Sequence, residues 1–169
     1  LMGVDVARGG APFTVLAFRQ GRDARSIPWE RFRTDDLEVV ANRVAEAAQK
    51  YRVDAIFVDG NGVGGGVVDM LKSWKFRVIE VQAGGHPNDE NKYLNKRAEM
   101  WALGKEWLGF GAIPNDPVLH TDMTGPEYKW HEVNNKLIIE SKESMRDRGM
   151  ASPDMADGLW MTFAQPMIG

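Results

Sequence analysis

Four aspartates stand where a carboxylate needs a reason. Asp5 interrupts an apolar, strand-like run, LMGVDVA, and a buried carboxylate without a partner is expensive. Asp59 closes the apolar stretch AIFVD at 55–59. Asp154 and Asp157 lie three residues apart in SPDMADGLWMTFA, 152–164, a spacing that places both on one helix face. Each has an ordinary explanation alone. Asp5 could pair with Arg8, Asp59 could open a glycine turn, and Asp154 could favour a helix N-terminus. Together, two strand-end carboxylates faced by a helix bearing two more make a cage of hard oxygen ligands. The chain has no cysteine, and its three histidines lack ligand spacing, so the cage suits Mg²⁺ or Mn²⁺ rather than zinc. Two such ions about 3.5–4 Å apart activate a water and stabilise the leaving oxygen in phosphodiester hydrolysis.

A second chemistry competes for the same stretch. Residues 55–71, AIFVDGNGVGGGVVDML, contain G-x-G-x-x-G at Gly60, Gly62 and Gly65, with Glu80 twenty residues past Gly60. That pattern suits a dinucleotide pyrophosphate in a Rossmann-type domain. Asp59 would then set negative charge beside the pyrophosphate, and Asp5, Asp154 and Asp157 would have no task. In a nuclease the same glycines let backbone N–H groups approach a phosphate.

The elements that must position these residues follow from periodicity. LMGVDVAR, FTVLAFRQ and SIPWERF read as three strands joined by tight turns, an antiparallel meander. A helix follows, with Leu37, Val40, Ala41, Val44, Ala48 and Tyr51 at helical spacing and Asp35 with Glu38 as a capping box. AIFVD is a short buried strand, GGVVDMLKSWKF a helix and RVIEVQA a fifth strand. LNKRAEMWALGKEWL is a helix with Ala98, Trp101, Ala102 and Leu108 on its apolar face. Trp101 and Trp107 read as core. Residues 114–127 are irregular, with at most a short helix. YKWHEV and KLIIES flank Asn134–Asn135 as a hairpin with a two-residue turn, and SKESMRDRG forms a helical turn or two. The last helix opens with Ser152 as N-cap and Pro153 as its first residue. The fold class expected is α/β: a mixed five-stranded sheet with helices on both faces and an extra hairpin.

At 169 residues with 43% hydrophobic and 27% charged composition, the chain fits one domain with a real core. No apolar run approaches the ~20 residues of a membrane span. A net charge of −3 argues against a simple nucleic-acid coat but not against a metal-dependent enzyme on nucleic acid. The chain opens inside a strand-like run, so residues 1–169 are read as a single domain excised from a longer protein.

GVDVARGG at 3–10, FVDGNGVGGGVVDML at 57–71, NKRAEMW at 95–101 and SPDMADGLWMTFA at 152–164 resemble the nuclease domain of tailed-phage terminase large subunits, within the RNase H-like superfamily. The resemblance implies metal-dependent endonucleolytic cleavage of double-stranded DNA during genome packaging. It implies Asp5 and Asp59 as strand ligands and Asp154, Asp157 or both as helix ligands, with two Mg²⁺ or Mn²⁺ ions. It also implies an upstream ATPase domain in the same protein, a small terminase subunit and a portal protein as partners, and the cytoplasm of an infected bacterial host as the setting. A junction resolvase or other RNase H-like enzyme is the nearest competitor. A partner-binding domain that has kept the acids without activity is another.

Candidate phosphate contacts are Arg8, Lys96, Arg97, Lys129, Lys136 and Lys142, with Arg146 and Arg148 nearby in sequence. Such contacts position a duplex without reading its bases. Each taken singly also fits a solvated charged face. The hairpin is expected to guide DNA or control access to the acids.

Overall fold

The computed structural model describes residues 1–7, 9 and 12–167. Its strands are β1 (Met2–Asp5), β2 (Thr14–Phe18), β3 (Glu30–Phe32), β4 (Ile56–Asp59) and β5 (Val78–Val81), followed by β6 (Tyr128–Trp130) and β7 (Leu137–Ile139). The helices are α1 (Leu37–Lys50), α2 (Gly64–Ser73), α3 (Lys96–Trp107), α4 (Pro117–Thr124), α5 (Lys142–Asp147) and α6 (Asp154–Met161). The main sheet runs β3-β2-β1-β4-β5. Its first three strands form the expected antiparallel meander, while β4 is parallel to both β1 and β5. The meander removes the doubly wound parallel sheet that a Rossmann-type site requires.

Strand alternation assigns the two faces. Met2, Val4, Leu16, Phe18, Ile56 and Val58 point to one side and bury against Val40, Val44, Val67 and Leu71 of α1 and α2. Val15, Ala17 and Phe57 point to the other and bury against Trp101, Leu119, Leu159 and Trp160. By the same alternation Gly3, Asp5 and Asp59 belong to this second face. A Cβ on Gly3 would lie 1.7 Å from the Gly158 carbonyl oxygen, so α6 rests on the backbone of β1 itself. No other residue fits at position 3.

Several local expectations shift. The cap of α1 is Asp36, whose side chain accepts from the Glu38 and Val39 N–H groups; the capping box expected at Asp35 lies one residue too early. The buried side of α3 comprises Lys96, Ala98, Glu99, Met100, Trp101, Gly104 and Trp107, so Ala102 and Leu108 are flank positions. Gly104 takes the central place because a Cβ there would lie 2.3 Å from the Trp160 ring. The hairpin loop spans 131–136, closed by His131 N to Lys136 O at 2.8 Å and Asn135 N to His131 O at 2.9 Å. Asn135 takes the left-handed conformation, with φ +55°. The turn is therefore six residues long, not two. Helix α6 starts at Asp154 with Pro153 in the cap position; Ser152 instead directs its hydroxyl to Asp154 Oδ1. No helix among the described residues is long and apolar enough to cross a membrane.

Candidate metal centre

Asp5 is the last residue of β1 and Asp59 the last of β4. The strands are parallel, in a register that pairs Val4 with Val58, so both carboxylates leave the same edge of the sheet side by side. Helix α6 brings Asp154 and Asp157 to that edge, one helical turn apart. Asp5, Asp59 and Asp157 wall a cavity of about 30 Å³ together with Arg97, Lys142 and Met161. That space holds about one water-sized occupant. It adjoins a wider cleft of about 530 Å³ bordered by Asp5, Asp59, Asn61, Arg97, Lys142, Arg146 and Asp154. All four predicted acids thus meet at one place.

Cations are interleaved with them. Lys142, the first residue of α5, puts Nζ 3.3 Å from Asp5 Oδ2, 3.2 Å from Asp157 Oδ2 and 3.6 Å from Asp154 Oδ1. Arg97 Nη1 donates to Asp157 Oδ1 at 2.7 Å, and the Trp101 indole N–H donates to the same oxygen at 2.9 Å. The Lys142 contact with Asp157 Oδ2 is an ion pair without hydrogen-bond alignment, which leaves that buried oxygen with no aligned donor. Arg97 Nε and Nη2 are likewise buried without acceptors.

The electrostatics follow. Burial pushes Asp5 up to about 7; Lys142 opposes this, and Asp154, Asp157 and Asp59 add to it. For Asp157 burial acts in the same upward direction, but Arg97, Lys142 and the Trp101 hydrogen bond outweigh it and hold its carboxyl below the usual value. Burial disfavours the Lys142 ammonium, yet Asp5, Asp157 and Asp154 raise its pKa well above the ordinary lysine value.

Among the described residues, no three carboxylate or imidazole groups form a ready-made ion site; Asp5, Asp154 and Asp157 meet the Lys142 ammonium instead. The donor set nevertheless fits a hard divalent cation. It offers only carboxylate oxygens, one of them buried without an aligned donor, around a space already shaped by a positive charge. Lys142 must give way for the acids to converge on an ion.

The predicted basic residues divide. Arg97 lies in the centre, but it secures Asp157 rather than standing free. Lys96 is a correction: its ammonium donates to Asn88 Oδ1, Glu99 Oε2 and the Ala164 carbonyl, and its side chain is 11% exposed. That leaves no donor for a phosphate. Lys142 turns into the acids instead of outward. Lys129 and Lys136 lie on the hairpin and its loop, with Lys129 exposed. Arg146 borders the cleft, whereas Arg148 is engaged with Glu140 and Glu127. Arg8 lies outside the described residues. No sequence signal marks the Trp101 indole as an Asp157 partner or Asp122 as a partner of α6, because both contacts are tertiary; Ser152, expected as the cap of α6, bonds the Asp154 side chain instead.

The glycine loop has a packing role. Gly62 takes φ +65°, and a Cβ on Gly64 would lie 1.7 Å from the Asp59 carbonyl, so α2 starts hard against the end of β4. Gly64 stands outside the dinucleotide pattern.

No protein-family model and no curated protein matches the chain. Solved structures do match it. The nuclease domain of the large terminase subunit gp2 of bacterial virus Sf6 superposes with TM-score 0.83 at 20% identity, over 98% of this chain and 88% of that one. The large terminase nuclease of thermophilic phage G20c gives 0.68 at 14%, over 97% and 80%. The large terminase nuclease domain of Thermus phage P74-26 gives 0.68 at 13%, over 96% and 76%. The chain therefore has the RNase H-like fold of these nuclease domains. A mutant of the Sf6 domain has been solved with manganese and with calcium, and the G20c domain with bound magnesium and with bound cobalt.

Proposed function

We propose that this chain is the nuclease domain of a phage large terminase and cleaves double-stranded DNA with the help of divalent metal ions. One observation carries the proposal. Four carboxylates from β1, β4 and α6 converge at one sheet edge, in a fold whose solved counterparts are terminase nucleases crystallised with divalent ions.

Asp5, Asp59 and Asp157 would hold the inner cation and Asp154 would complete the set from the outer side. A divalent ion held there supplies Lewis-acid chemistry: it activates the nucleophile and neutralises the leaving oxygen. Two such ions would be held, one in the inner cavity and one toward the wider cleft, and Mg²⁺ or Mn²⁺ suits the carboxylate oxygens. Arg97 and Trp101 fix one oxygen of Asp157, so that its other oxygen is held toward the cavity region with little freedom. The cleft bordered by Asn61 and Arg146 admits the phosphate backbone, and the hairpin lysines, exposed Lys129 and half-buried Lys136, would steady the duplex. By the same reading an ATPase domain of the same protein, a small terminase subunit and a portal protein are its partners, in the cytoplasm of an infected bacterium.

The test is cleavage of supercoiled plasmid with Mn²⁺, Mg²⁺ or EDTA, by the unmodified chain and by Asp59→Ala. Metal-dependent nicking or linearisation that disappears in the variant is the expected result. Cleavage that persists in EDTA, or in Asp59→Ala, would refute the assignment.

A further inference from the structure

Helix α6 carries two of the four acids, yet its start has no side-chain cap of its own. Pro153 occupies the cap position and accepts no hydrogen bond through its side chain. In the first turn the Asp154 N–H reaches the Ser152 carbonyl at 2.9 Å, and the Asp157 N–H reaches the Pro153 carbonyl at 2.8 Å. The Met155 N–H is met from elsewhere: Asp122 Oδ2, on α4, accepts it at 2.9 Å. The Ala156 N–H bears on the same carboxyl. Asp122 is 33 residues away in sequence and 9% exposed.

A carboxylate is a costly choice here. Burial raises Asp122 to about 6, against the pull of the Met155 and Ala156 N–H groups, and Asp154 and Asp157 repel it. An apolar residue would avoid both costs but would leave a buried N–H without an acceptor. Helix ends fray unless their free N–H groups are satisfied, and a frayed first turn would let Asp154 and Asp157 wander.

We propose that Asp122 is a positioning residue for the acid centre: by capping α6 from α4 it fixes the turn that carries Asp154 and Asp157, and so sets the affinity of the site for divalent cations. This rests on reading the acids as a metal centre. Asp122 touches no ion itself.

Mn²⁺ binding by calorimetry on the full chain tests it, with the melting temperature in EDTA as the check on folding. Asp122→Ala should remain folded and bind Mn²⁺ about tenfold or more weaker, the range seen when the partner behind a metal ligand is removed. Asp122→Asn keeps an oxygen for the Met155 N–H, since Asn and Asp cap comparably, and should stay within about threefold of wild type. An alanine variant with wild-type affinity, whatever its melting temperature, would make Asp122 a purely structural cap and overturn the inference. So would an asparagine variant as weak as alanine, because charge rather than placement would then be at work. If Asp122→Ala does not fold, Asp122→Ser, with a shorter side chain, replaces it with the same expected and contrary results. A wild-type chain that binds no Mn²⁺ would bring down the metal reading itself, and this inference with it.

Discussion

On one face of the sheet, α1 and α2 cover Met2, Val4, Leu16 and Phe18 with aliphatic side chains such as Val40, Val44, Val67 and Leu71. On the other, α6 presses its backbone onto Gly3, and the Trp101 indole N–H and Arg97 Nη1 both donate to Asp157. The same strands serve both faces, and only the alternation of side chains separates them. The first face can be repacked with other apolar residues of similar volume. The second holds fixed approaches, glycine against carbonyl and donor against carboxylate, that no change of volume can replace. Both faces bury an apolar core, but only the second also has to place charge.

Gly3→Ala should break this contrast most severely. Its Cβ would collide with the Gly158 carbonyl, at a cost of about 3 kcal/mol or more, and should displace α6 and weaken Mn²⁺ binding as well. Leu71→Ala, on the aliphatic face, should cost a similar ~2–5 kcal/mol and leave Mn²⁺ affinity unchanged. Urea midpoints beside Mn²⁺ titrations separate the two. Equal effects on metal affinity would erase the distinction between the faces.

Lys142→Met tests whether an ammonium stands in for the ion. Without it the buried acids lose a shared partner, so the metal-free protein should melt lower while Mn²⁺ binds more tightly. Weaker Mn²⁺ binding would instead make Lys142 a support for the bound state.

Asp5 sharpens the contrast through pH. Its folded pKa of about 7 lies above the ordinary ~3.9 of an unfolded aspartate. The native state therefore binds more protons between those values, and the stability from this group is lost as pH rises through 7. Urea midpoints in EDTA should fall from pH 5 to pH 8. Asp5→Asn should flatten the fall without abolishing it, because Asp122, raised to about 6, acts in the same direction. An unaltered slope in Asp5→Asn would remove Asp5 from the account. The smallest effect is expected at the hairpin: Lys129→Ala should reduce the salt-dependence slope of DNA binding by about 1, and an unchanged slope would take Lys129 out of the phosphate contacts.

Much of this was legible from the chain. Asp5 and Asp59 announce themselves because an acid in a short apolar strand has few uses, and the meander followed by helix–strand–helix–strand fixes the mixed sheet. What spacing cannot tell is where a long side chain turns. Lys96 and Lys142 read as surface cations, yet both fold inward: Lys96 meets Glu99 on its own helix and the distant Ala164 carbonyl, and Lys142 meets carboxylates of β1 and α6. Helical spacing predicts the Trp101 ring as core, which it is, but not that its N–H orients Asp157. Asp122 looked like part of an irregular stretch, and its role depends wholly on α4 meeting α6.

The central claim is that the four acids hold divalent ions. Its most direct test is titration with Mn²⁺, followed by electron paramagnetic resonance, comparing the unmodified chain with Asp59→Ala. Asp59 suits the comparison because its side chain accepts from the nearby Asn61 N–H at 2.9 Å, a local contact that the fold can lose. The account predicts saturable binding by the unmodified chain and an affinity at least about tenfold lower in the variant. No binding by the unmodified chain, or equal binding by both, would contradict it.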